Sequence, residues 1–174
     1  MQCKKALHEA GGDLAKAEVI LKKHSAASAE KKADRTLSAG IIGSYIHDGT
    51  IGAMVVLSCE TDFVAKNPEF GALAREIAMH ITATSPVYTS AAEIPASAKE
   101  AATAVFKKEA ADKPKEMREK IIDGKLASYF RDQVLLDQPF IKDENKTIQS
   151  LLNEATQKFG ERIEVSRFMR LAVR

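Results

Sequence analysis

The chain has 174 residues, 45% hydrophobic and 29% charged, the balance of a globular protein with room for one domain and a small appendage. Its 26 Lys and Arg against 24 Asp and Glu give a formal charge of +2, too near neutral for a chain that grips nucleic acid through its overall field. The longest apolar run, Ala53–Leu57, falls far short of the ~20 residues that span a bilayer, which excludes a membrane-spanning helix.

Residues 1–24 read as two short helices. Cys3, Ala6, Leu7 and Ala10 share one face of the first, Gly11-Gly12 stops it, and Asp13 caps the second, which carries Leu14, Ala17, Val19, Ile20 and Leu21. Two helices of this length cannot cover each other's apolar stripes, so Leu7, Val19 and Leu21 are expected to be incompletely buried. Residues 25–36, SAASAEKKADRT, read as a linker, with helix as an alternative at its Glu30-Lys31-Lys32 end.

The period then changes. Ile41–His47 and Ile51–Cys59 are β-rich runs around Asp48-Gly49, a strong hairpin signal. The second run is apolar without alternation, which predicts a strand covered on both faces. Asn67-Pro68 opens a helix bearing Phe70, Leu73, Ala74, Ile77, Ala78 and Ile81, and Ser85-Pro86 ends it. Ser97 with Glu100 has the spacing of a capping box, and Pro114 opens a further helix. Thr147 caps a helix that Gly160 ends, and IEVSRFMRLAV at the end is β-like. Strands on either side of a helical middle predict an α+β core, an antiparallel sheet covered by helices, over residues 37–174.

Motifs for covalent chemistry are missing. The nine glycines form neither GxxxxGK[ST] nor GxGxxG, and neither GxSxG nor HExxH occurs. His8, His24, His47 and His80 lack metal-ligand spacing, and Cys3 and Cys59 form no CxxC. No catalytic residue, metal or cofactor is expected. The opening MQCKKALHEA has no apolar run of the secretory kind, so the two cysteines read as reduced thiols and the protein as cytoplasmic.

Several stretches together resemble one family, the bacterial and organellar translation elongation factor Ts. They are Cys3–Leu7 (CKKAL), Gly12-Asp13, Ala29–Arg35 (AEKKADR), Cys59–Ala65 (CETDFVA), Ala78–His80 (AMH), Lys113–Glu116 (KPKE) and Gln138–Lys142 (QPFIK). They span essentially the whole chain in the family's order, and CETDFVA is specific to it. The single core resembles the short form of the family. The resemblance implies a guanine-nucleotide exchange factor for elongation factor Tu, with no direct contact to nucleic acid or membrane; a homodimer stays open. It implies an N-terminal ubiquitin-associated-like module over residues 1–24. That module reads as truncated, because family members carry a further helix before CKKAL.

The resemblance also implies site residues. Asp62 and Phe63, flanked by Thr61 and Val64, correspond to the segment that pushes a Phe between two helices of the GTPase and disturbs its magnesium and phosphate site. Lys4 and Lys32 correspond to basic contacts with the partner, and His80 to a second core contact.

Each residue also has an ordinary reading. A Phe at a helix start packs inward more often than outward, although Phe63 lies in a polar connection between Asp62 and Lys66. Asp62 fits a helix N-cap, His80 a half-buried structural histidine, and Lys4 and Lys32 solvated lysines. Glu60 with Asp62 as an acid–base pair lacks a partner group. An RNA adaptor built on AEKKADR is disfavoured by the near-neutral charge.

Overall fold

The computed structural model describes residues 2–112 and 114–173, without the side chains of Gln2, Lys115 and Glu116, so the KPKE match lies largely outside the described residues. Helix α1 (Gln2–Glu9) ends at Gly11 and Gly12, which take positive φ values of 63° and 88°. Asp13 caps α2 (Leu14–Glu30), its carboxylate accepting the Lys16 N–H. Leu7 and Val19 are exposed and Leu21 is half-buried, as their lack of a covering partner predicts.

The stretch read as a linker is helical through Glu30. Its Ala and Ser residues permit helix, and tertiary contact decides the matter. Ser25 is buried and donates to Gln157 Oε1, and Lys22 Nζ donates to the Asn145 carbonyl.

Strands β1 (Ala39–His47) and β2 (Ile51–Cys59) form the expected hairpin. Asp48 (φ 48°) and Gly49 (φ 66°) supply the two consecutive positive φ values of a tight turn matched to strand twist, closed by Thr50 N–H to the His47 carbonyl at 3.0 Å. From Cys59 the chain passes into the one-turn helix α3 (Asp62–Ala65) and then α4 (Pro68–Thr84). Asn67 caps α4 through the Glu69 N–H, and Ser85 ends it in the left-handed conformation.

Helices α5 (Ala96–Glu109) and α6 (Lys115–Arg131) form an antiparallel pair joined by Phe106 against Tyr129 and by Lys125 to Glu109. The capping box expected at Ser97 and Glu100 does not form. Pro95 holds the N-cap position in extended backbone, the helix starts at Ala96, and no side chain caps it. Short strands β3 (Pro139–Phe140) and β4 (Asp143–Thr147), unforeseen from sequence, lead into α7 (Ile148–Phe159). Thr147 caps α7 and Gly160 (φ 76°) ends it before β5 (Glu164–Ala172).

The main sheet is antiparallel in the order β1-β2-β5, which confirms the α+β class. Its inner face carries Val55, Leu57, Cys59 and Val165 against Phe70, Ile77 and Ile81 of α4 and Ile148 and Leu152 of α7. Strand β2 is covered on one face only among the described residues, contrary to expectation. Ala53, Val55, Leu57 and Cys59 are buried, whereas Met54 points out and is exposed. The outward Met54 and Val56 are apolar as well, which hides the alternation in the sequence, but the helices lie on one side. No described helix is long and apolar enough to cross a membrane.

Candidate functional site

The segment with the densest motif, Cys59–Lys66, forms a rigid projecting turn. Cys59 is buried at the end of β2, and its thiol donates to the Thr61 carbonyl at 3.2 Å. Burial first, then the nearby Glu161 charge, pushes that thiol's pKa up. Thr61, not Asp62, takes the N-cap position of α3, in extended backbone. Its hydroxyl does not serve the helix, because it donates to Glu161 Oε1 at 2.5 Å.

Asp62 instead opens the helical turn, where its charge suits the helix N-terminus. It pairs with Lys66 at 2.6 Å, and that bond holds its carboxyl below the ordinary range. Val64 is buried in the core. Phe63, one residue earlier, faces the other way and is 82% exposed, which excludes the core reading of this ring. A one-turn helix too short to hold itself thus has an apolar anchor inward and a bare aromatic outward.

Behind the turn lies a polar brace. Glu161 Oε2 accepts the N–H groups of Glu60 (3.1 Å) and Thr61 (3.0 Å). Glu60 Oε1 accepts the Arg162 N–H at 2.6 Å, and Arg35 Nη1 donates to the same carboxylate at 3.2 Å. The Arg162 N–H first, and Arg35 with it, lowers the pKa of Glu60. Glu60 and Asp62 therefore turn to different partners and do not form a carboxylate pair. Sequence reasoning missed Arg35, Glu161 and Arg162. Arg35 lies inside a stretch singled out as basic, but nothing local links Glu161 to a residue a hundred positions earlier.

The other expected residues lie elsewhere. Lys4 is exposed on α1. Lys32 is half-buried, not fully exposed, and donates to Ser28 Oγ at 2.7 Å. It is near enough to Glu60 to help lower that group's pKa.

His80 is wholly buried. The Ile141 N–H approaches its Nδ1 at 3.4 Å, so the proton is assigned to Nε2, which donates to Gln138 Oε1 at 2.9 Å. Gln138 in turn donates to the Asp132 carbonyl. The contact expected of His80 is corrected accordingly. A side chain without exposed surface has none to offer a partner, and this one ties α4 to the Gln138–Ile141 segment.

An exposed aromatic thus stands on a braced turn whose neighbouring carboxylates are committed to structural bonds. The family model described as elongation factor TS matches residues 28–174. Elongation factor Ts of Thermodesulfovibrio yellowstonii is 48% identical over 174 residues, covering 99% of this chain and 87% of that protein. Elongation factor Ts of Thermotoga petrophila is 45% identical with the same coverage, and that of Coprothermobacter proteolyticus is 43% identical over 98% of this chain and 88% of its own length. The chain belongs to the elongation factor Ts family.

Proposed function

We propose that this chain is a guanine-nucleotide exchange factor for elongation factor Tu in translation elongation, and that the Thr61–Val64 turn is its working element. The observation that carries the reading is Phe63, a large apolar ring almost fully exposed on a turn anchored from behind. Such a ring costs little to bury in a partner, because its position is already set.

In this reading Phe63 inserts between helices of the GTPase, with Thr61 and Asp62 beside it and Val64 holding the turn to the core. The magnesium and phosphate site of the GTPase is displaced, which removes the contacts that hold GDP most strongly. The factor does no covalent chemistry. It favours the nucleotide-free GTPase, and nucleotide and factor weaken each other's binding by the same factor. Lys4 on α1, within the module proposed as ubiquitin-associated-like, and Lys32 contribute charge at the rim of the contact. Stopped-flow release of a fluorescent GDP from elongation factor Tu tests the reading; release no faster with this chain than without it would end it.

A homodimer is favoured by a separate observation. Ile42, Ile46, Met54, Met169 and Leu171 are all exposed large apolar side chains of β1, β2 and β5. Met54 and Met169 are paired in register, so the patch is continuous across the sheet. A second copy presenting the same face would cover it as a sandwich of two sheets.

A further inference from the structure

We propose that Glu161 is a positioning residue for exchange, setting the direction in which Phe63 projects; the assignment rests on the reading of Phe63 as the working residue. Helix α3 closes on itself with Ala65 N–H to the Thr61 carbonyl (3.2 Å) and Lys66 N–H to the Asp62 carbonyl (3.0 Å). Two such bonds do not sustain a helix alone. Phe63 has almost no packing of its own, so its direction is inherited from the backbone that enters the turn. Val64 and Ala65 anchor the turn to the core, and the Cys59 thiol and Ser38 hydroxyl hold the Thr61 and Glu60 carbonyls, which leaves the N–H side of that backbone free to tilt.

Glu161 closes that freedom. Its Oε2 accepts two successive backbone N–H groups, Glu60 and Thr61, and its Oε1 accepts the Thr61 hydroxyl. Three donors on one carboxylate define a plane, and the plane orients the peptide units that lead into α3. Hydrogen bonds to a charged acceptor are stronger than neutral ones. The backbone that carries this carboxylate is itself held. On one side of Glu161, Gly160 turns the chain out of α7 in the left-handed conformation; on the other, Arg162 donates its N–H back to Glu60. The segment around Glu60 and the turn after α7 thus grip each other reciprocally, and Arg162 Nη1 adds a bond to the Arg35 carbonyl at 2.7 Å.

A merely structural role would act on folding, whereas a positioning role must act through Phe63. The test is a double-mutant cycle with the full chain and elongation factor Tu, reading the maximal rate of fluorescent-GDP release at saturating factor, with melting temperature in parallel. Glu161→Ala is expected to lower the maximal rate about tenfold per folded molecule. In a Phe63→Ala background, adding Glu161→Ala is expected to change the rate less than twofold, because the group it orients is gone. Glu161→Gln keeps the shape and an accepting oxygen and should recover most of the rate; should the alanine variant not fold, the cycle of Glu161→Asp, whose shorter side chain draws the acceptor away from the Glu60 and Thr61 N–H groups, with Phe63→Ala decides instead. Full multiplication of the two effects, or a normal rate per folded molecule, would overturn the positioning role while leaving Phe63 intact. A normal rate for Phe63→Ala alone would instead sink the working role of Phe63 and the positioning role with it.

Discussion

Gly43 of β1 lies so close to Ala74 of α4 that a β-carbon on it would meet the Ala74 carbonyl carbon at 2.5 Å. The hairpin and the helix after the Phe63 turn are thereby pressed backbone to backbone. Their contact sets the layer spacing on which that turn stands. Gly43→Ala should force the layers apart and cost about 1–3 kcal/mol. For a chain of this size that lowers the melting temperature by roughly 2–12 °C. A thermal scan showing no loss would mean that the layers slide without resistance.

Phe63→Ala should leave the melting temperature nearly unchanged, since a ring that is 82% exposed leaves no core cavity. GDP release from elongation factor Tu should slow by about ten- to hundredfold, matching the roughly 2 kcal/mol of an aromatic hot spot. Both quantities come from one preparation. A large drop in melting temperature with normal exchange per folded molecule is the contrary result.

Stability should fall on mild acidification through His80. Burial is the main cause that pushes its pKa below the ordinary 6.5, against the opposing Gln138 bond. The unfolded chain then takes up a proton near pH 6.5 that the folded chain refuses. The stabilisation is therefore full above pH 6.5 and is lost as pH falls toward the folded value, by at most about 1.4 kcal/mol per pH unit. Urea unfolding between pH 7.5 and 5.5 should show this slope in the native chain and lose it in His80→Gln. Equal slopes would assign the acid sensitivity elsewhere.

Lys4→Ala and Lys32→Ala should each change stability by less than about 0.5 kcal/mol. Lys4 is exposed, and Lys32 gives up a bond to Ser28 and a weak attraction to the Glu60 carboxylate. Both should slow association with elongation factor Tu at low salt, the effect fading as salt rises. Association rates equal to the native rate for both variants would remove these lysines from the contact.

Met54→Asp places a charge at the centre of the outer sheet face. Sedimentation equilibrium of the native chain should show self-association, and the variant should be monomeric with little change in fold. A native chain that stays monomeric at high concentration would count against the sheet-to-sheet dimer.

Much of the fold is legible in the sequence because its signals are local. Asp13, Asn67-Pro68 and Thr147 cap helices through N–H groups two or three residues away, and Asp48-Gly49 and Gly160 supply positive φ wherever they occur. The apolar spacing of Phe70, Ala74, Ile77 and Ile81 dictates the buried face of α4 whatever it packs against. The motif CETDFVA, seven consecutive residues, singles out the segment that carries Phe63 without reference to anything distant.

Other features depend on which elements meet, and no local pattern encodes that. The apolar spacing that placed Ile77 and Ile81 inward could not say whether His80 beside them would reach the surface; the Gln138 amide and the Ile141 N–H, some sixty positions away, hold it inside. Strand β2 looks two-sided in sequence, yet the helices cover one side. Helix α2 outruns its expected end because Ser25 finds Gln157 on α7. Phe63 faces out because Val64 and Ala65 take the side of the turn that meets the core. Its direction is set by Glu161, 100 residues from Thr61 in the chain and 3.0 Å from its N–H in space.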